Sequence, residues 1–163
     1  MKFIYENLTT TLLKRDVEDI KAELYDNMLD ASLKSDKDLL SKILKFAEDN
    51  SITLDLCIDD GLLGVLAAKK GNYEVLEILC NYDKNLIPTY GVEMLGYAAS
   101  NDQINCIKFL LGKGTNPIKL KDTTAYHNYQ EVENIFNQHL EEEHQVNISG
   151  DISSTTNNLI ETI

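Results

Sequence analysis

The sequence predicts an all-α solenoid of about three to four helix–turn–helix repeats, with an N-terminal helical cap and a disordered C-terminal tail. Three observations predict it. Leu66–Cys80 and Tyr97–Leu111 are two copies of one pattern: an alanine pair, a turn residue three positions on, then apolar residues at helical spacing. The pairs Ala67-Ala68 and Ala98-Ala99 stand 31 residues apart, and a period of that size marks a stacked array whose units bury their apolar faces against one another. The chain then ends in a polar stretch with too little apolar surface to order itself.

Taken in order, residues 1–24 read as the N-terminal helical cap. Asp16 suits a helix start, and Val17, Ile20 and Leu24 recur at helical spacing. Residues 25–141 read as the array. Its first unit, about 25–57, carries Met28, Leu29 and Ala31-Ser32 on one helix and Leu39, Leu40, Ile43, Leu44 and Ala47 on the next. Ser35 or Asp36 caps the second helix, and no turn glycine is present. The linker Asp49-Asn50-Ser51-Ile52-Thr53 follows.

The second unit, about 58–87, holds the first alanine pair. Gly71 supplies the left-handed turn, and Val75, Leu76, Ile78 and Leu79 face inward on the return helix. In the third unit, about 88–117, Asp102 takes the place of Gly71, and aspartate tolerates that conformation better than most residues. Cys106, Ile107, Phe109, Leu110 and Leu111 form its return face; Gly114 stops the helix and Pro117 prevents it from continuing. A degenerate unit, about 118–141, opens on Asp122–His127 and closes on a helix lined by Val132, Ile135, Phe136 and Leu140. Residues 142–163 read as the disordered acidic and polar tail, rich in Ser, Thr and Asn and without lysine.

Size and charge narrow the function classes. At 163 residues the chain is one domain and needs neither disulfide nor metal to hold its core. A net charge of −12 and a pI near 4.6 argue against a nucleic-acid backbone or an anionic membrane as partner. No apolar run approaches the ~20 residues of a membrane-spanning helix, and Glu6 and Asn7 interrupt the start too early for a signal peptide. Cys57, Cys80 and Cys106 are odd in number, widely spaced and without a Cys-x-x-Cys. Cys80 and Cys106 fit core positions in a reducing compartment. Asn7-Leu8-Thr9 and Asn147-Ile148-Ser149 match a glycosylation acceptor but carry no weight without a secretory signal. Lysine outnumbers arginine 14 to 1, a bias of AT-rich genes common in host-dependent microbes. The expected location is the cytoplasm, or a host cell reached without a classical signal peptide.

No catalytic or cofactor constellation stands out, and none is expected. Gly112-Lys113-Gly114-Thr115 lacks the leading glycine of a phosphate loop and follows a helix where such a loop opens one. His139 and Glu143, with His144 nearby, make a pair where a metal needs three or four convergent ligands. His127 reads as a turn-bracing residue. Asp59-Asp60 and Glu93 bring carboxylates together, with no nucleophile or oxyanion stabiliser beside them.

These residues resemble the ankyrin repeat, whose pattern is a Thr-Pro-Leu-His turn, an Ala-Ala helix, a glycine turn, a Leu-Leu helix and a Gly-Ala loop. Leu66-Ala67-Ala68 through Gly71 to Leu79 match it, as do Gly91, Leu95, Ala98-Ala99, Leu110-Leu111 and Gly114-Thr115-Asn116-Pro117. Thr124-Ala125-Tyr126-His127 looks like a surviving Thr-Pro-Leu-His turn. The departures are Leu62-Leu63-Gly64-Val65 and Glu93-Met94-Leu95-Gly96 at that turn. Leu62 cannot cap a helix. Gly64 and Gly96 cost about 0.8–1.0 kcal/mol each against alanine, as drift or room for tight helix packing or, on a functional reading, as room for a partner.

The resemblance implies a non-catalytic module that binds a protein partner through a concave face and turn tips, as a monomer, with neither nucleic acid nor membrane. Its turn tips are Ile58, Asp59 and Gly61, then Thr89, Tyr90 and Val92, then Leu120, Lys121 and Thr123; its helix ends are Lys69, Lys70, Ser100 and Asn101. Lys69, Lys70 and Lys121 form a basic stripe, and Tyr90 is the expected anchor unless it packs on its neighbouring turn. The functional readings are, in order, a protein-binding module that extends to a host-directed effector, a regulatory or inhibitory subunit of an enzyme, and a metal-dependent enzyme built on His139 and His144.

Overall fold

The computed structural model describes residues 16–120 and 132–142. Six α-helices form three hairpins in succession: α1 (Val17–Lys34) with α2 (Lys37–Asp49), α3 (Ile58–Lys70) with α4 (Tyr73–Tyr82), and α5 (Leu86–Ala99) with α6 (Ile104–Gly112). A short 3₁₀ turn, Pro117–Leu120, follows, and residues 132–142 are again helical. The first helices α1, α3 and α5 pack side by side, and the second helices α2, α4 and α6 form a parallel layer behind them.

One turn repeats three times. After Ala31-Ser32, Ala67-Ala68 and Ala99, the residues Ser35, Gly71 and Asp102 adopt φ of 58°, 75° and 54°. In each case the next amide reaches back five residues: Asp36 to Ala31, Asn72 to Ala67 and Gln103 to Ala98, all at 2.9 Å. Ser35 therefore does in the first hairpin what Gly71 does in the second, which is why that hairpin closes without a glycine. Asp36 caps α2, its carboxylate accepting from the Leu39 amide at 2.9 Å.

The hairpins are joined at these turns. Asn72 donates to the Ser32 carbonyl at 2.8 Å and accepts from the Ser35 hydroxyl at 2.6 Å. Lys37 pairs with Glu74 at 2.6 Å from α2 to α4. Between the layers the core is continuous: Leu24, Met28, Leu40, Leu63, Leu76, Leu79, Met94, Leu95, Ile107 and Leu110 are all fully buried. The alanine pairs are buried at the seams, where their small side chains let the first helices approach.

Ser32 occupies the place of the second alanine, and its hydroxyl is buried without a hydrogen-bond partner. Removing an unsatisfied buried hydroxyl relieves a desolvation penalty of ~1–3 kcal/mol. Ser32→Ala is expected to raise the thermal midpoint by several degrees, measured by calorimetry; an equal or lower midpoint would show that the hydroxyl is satisfied in solution.

The structure departs from the sequence reading at three places. No break separates a cap ending at 24 from a repeat starting at 25, because Ile20, Leu24, Met28 and Ala31 form one buried stripe along the single helix α1. The expected projecting turn at Thr89, Tyr90 and Val92 is instead helical, since α5 begins at Leu86. Pro88 lies in its first turn, where a helix needs no amide donor. Leu120, expected at a turn tip, is buried, and its methyl lies 3.2 Å from where a Cβ on Gly96 would sit. Gly64 is likewise packed against Met94 and Leu86. Both glycines thus serve close helix packing.

Candidate functional site

The free face of the α1–α3–α5 layer is built by repeat register. Counting from the alanine pairs, Leu33, Lys69 and Ser100 occupy one equivalent position, Lys34, Lys70 and Asn101 the next, and Asp30, Leu66 and Tyr97 a third. Each group sits on the side of its helix away from the second layer. Leu33 is 48% exposed and Tyr97 39% exposed on this face. The Lys69 ammonium lies over the Tyr97 ring, 5.7 Å from its centre, which holds the two side chains together across the α3–α5 seam. Lys34 is neutralised by Asp30 at 2.7 Å. Lys69 and Lys70 are exposed and form no ion pair among the described residues.

Ser100 and Asn101 end the same face at α5: the Ser100 hydroxyl donates to the Tyr97 carbonyl at 3.1 Å, and the Asn101 amide donates to it at 2.8 Å. The remaining expected contact residues fall elsewhere. Asp59 is exposed in an uncommon tip in which Asp59, Asp60 and Gly61 take φ of 49°, 56° and 66° in succession. The Tyr25 hydroxyl donates to the Ile58 carbonyl beneath this tip at 3.4 Å. Its phenol is pushed up to about 12 by burial and by the carboxylates of Asp59 and Asp55.

Tyr90 is half-buried with its ring directly against Gly61, so it joins α5 to the preceding tip. Thr89 is exposed on α5, and Val92 is half-buried against the core. Lys121 and Thr123, and with them the third member of the basic stripe, lie outside the described residues, as do His127, Glu143 and His144.

A cluster that sequence spacing did not reveal joins Asp55, Cys57 and Asp83, whose ligand atoms lie within 4.8 Å of one another. Hydrogen bonds account for it. Asp83 accepts from the Leu56 amide at 3.0 Å and the Asn85 amide at 2.9 Å, and Asp55 accepts from the Cys57 amide at 2.9 Å. The carboxylates brace two adjoining loops. The Cys57 thiol is raised by burial and by these two carboxylates. Burial pushes Cys80 up to about 12 and Cys106 to about 11, so both are protonated core thiols near neutral pH.

Among the described residues no helix is long and apolar enough to cross a membrane. Neither curated proteins nor solved structures give a significant match to the chain. A family model, ankyrin repeats (3 copies), matches residues 28–122, more than half of the chain. Its start falls inside α1. Three stacked helix hairpins with three equivalent turns, matched over that span, place this chain in the ankyrin repeat family.

Proposed function

We propose that the chain is a protein-binding module that holds its partner on the free face of the α1–α3–α5 layer, centred on Lys69 and Tyr97. Membership of the ankyrin repeat family supports a protein–protein interaction role. The observation that carries the choice of face is the exposed Lys69–Tyr97 pair, flanked by Lys70 and Leu33 on a chain that is otherwise strongly acidic. An aromatic ring held by a neighbour at low entropic cost is the kind of anchor that dominates interfaces. Two uncompensated cations beside it favour an acidic patch on the partner.

The partner is isolated by placing a photo-crosslinker at Leu33 or Ser100 and identifying what is captured in the native cell. With that partner in hand, Lys69→Glu with Lys70→Glu is expected to slow association roughly tenfold at low salt, with little change in dissociation. Tyr97→Ala is expected to weaken binding by more than roughly tenfold, mainly through faster dissociation. Binding rates unchanged in both variants would exclude this face.

The lysine-rich, arginine-poor composition favours a second, narrower reading, in which the partner is a host protein and the chain a delivered effector. Its test is the cellular origin of the captured protein.

A further inference from the structure

The loops that follow the second helices leave clefts on the opposite side of the seam, and two neighbouring clefts have opposite charge. The first, about 590 Å³, lies between the loops after α2 and α4 and is lined by Glu48, Asp55 and Asp83. One repeat further on, between the loops after α4 and α6, a cleft of about 490 Å³ is lined instead by Lys84 and Lys113. Both lysines are exposed, and neither forms an ion pair among the described residues. The Lys113 ammonium is steadied over the Phe109 ring, 5.4 Å from its centre. Both cations act on the Cys80 thiol at the cleft, against the burial that raises it.

The remaining lining fits an extended peptide. Asn81 and Asn116 offer side-chain amides; the Asn116 oxygen already accepts from the Ile118 amide at 2.8 Å, which leaves its NH₂ group to donate outward. Ile87 and Val92 form an apolar wall. That wall exists because α5 begins at Leu86 and runs through Thr89, Tyr90 and Val92, which the sequence led us to expect at a projecting turn.

The anion it suits is a carboxylate. A phosphate site built from loop backbone needs free amides, and here those of Lys113, Gly114 and Thr115 all bond back to α6 carbonyls between Phe109 and Leu111. Lysines acting as point charges remain.

We propose that this cleft binds an acidic extended segment of a protein partner, with carboxylates against Lys84 and Lys113 and an aliphatic side chain against Ile87 and Val92. It is a second surface, separate from the Lys69–Tyr97 face. The probe is the peptide acetyl-Glu-Leu-Glu-Asp-Leu-Glu-amide, titrated into the ¹⁵N-labelled full chain at low salt. Amide shifts are expected to concentrate at residues 81–92 and 113–116 and to saturate. Lys84→Gln with Lys113→Gln should weaken binding at least tenfold, and Lys69→Gln with Lys70→Gln should leave it unchanged.

Shifts centred on residues 69–70, no saturable shifts at millimolar peptide, or indifference to the Lys84/Lys113 double variant would each overturn the proposal. Inorganic phosphate or a phosphoserine peptide binding here more tightly than the carboxylate peptide would overturn the assignment of the anion. Because the Lys69 and Lys70 variants are read separately, failure at this cleft is distinguishable from failure of the face proposed above.

Discussion

Valine in place of Gly61 is expected to remove about 2–5 kcal/mol of stability, seen as a lower urea midpoint at unchanged slope. Two independent costs meet at this residue. Its φ is +66°, a conformation that costs a side-chain-bearing residue about 1–3 kcal/mol and suits a β-branched one worst. A Cβ there would also lie 2.7 Å from Cδ2 and 2.9 Å from Cγ of the Tyr90 ring, and forcing a packed ring aside costs about 1–3 kcal/mol. Asp59 and Asp60 already occupy the same left-handed region, so the tip has no neighbouring residue with slack to absorb the change. In the Tyr90→Ala background the penalty of Gly61→Val should shrink measurably, because the steric part depends on the ring. A loss under about 1 kcal/mol, or identical penalties in the two backgrounds, would show that Tyr90 does not rest on this tip.

Truncating Leu95 to alanine is expected to be at least as damaging, at about 2–5 kcal/mol. Leu95 is fully buried on α5, the first helix of the third hairpin, which packs on both α3 and α6. Domains of this kind are stable by only about 5–15 kcal/mol in total. In an array each hairpin is held by its neighbours, so a cavity at one seam weakens both units that share it. The variant should lose the third hairpin first, observed as early amide exchange in α5 and α6 while α1 and α2 stay protected. Leu33→Ala is the matched control: the same chemical change at an exposed position should stay within about 0.5 kcal/mol. Comparable losses in the two variants would mean that Leu95 is not a core residue.

The repeat was legible because its signal is local. Ala67-Ala68 and Ala98-Ala99, each followed three residues on by a left-handed position, define a helix, a turn and a return helix within about 15 residues, and that window is where hydrophobic period and turn chemistry act. The same logic located Asp16 and Asp36 as caps and Gly114 as the residue just past α6. Ser35 was the miss of that class: a serine at φ 58° is a less legible turn signal than glycine, and its role appears only beside its equivalents.

The exposed face was legible only in part. Lys69 and Lys70 could be placed at a helix end because they follow an alanine pair by one and two positions, and both are exposed. Tyr97 was passed over, although its place just before Ala98 puts it on the same face. Tyr90 looked like an anchor because aromatic residues often are, but whether a ring points outward or onto a neighbouring tip depends on a residue 29 positions earlier, Gly61. Thr89, Tyr90 and Val92 were expected at a turn tip because the ankyrin pattern turns at those positions. Pro88 reads as a breaker in sequence and is harmless once the helix starts two residues before it.

By itself the sequence determined the hairpin unit and the turns at Gly71 and Asp102, since both depend on residues within one or two helical turns of each other. Tertiary structure alone decided which side chains stay in water. Stacking sets Tyr97 under Lys69 and Tyr90 against Gly61, and it gathers Lys84 and Lys113 around one cleft from loops 29 residues apart. Exposure is a property of what packs beside a residue, and in a stacked array many of those neighbours come from another repeat.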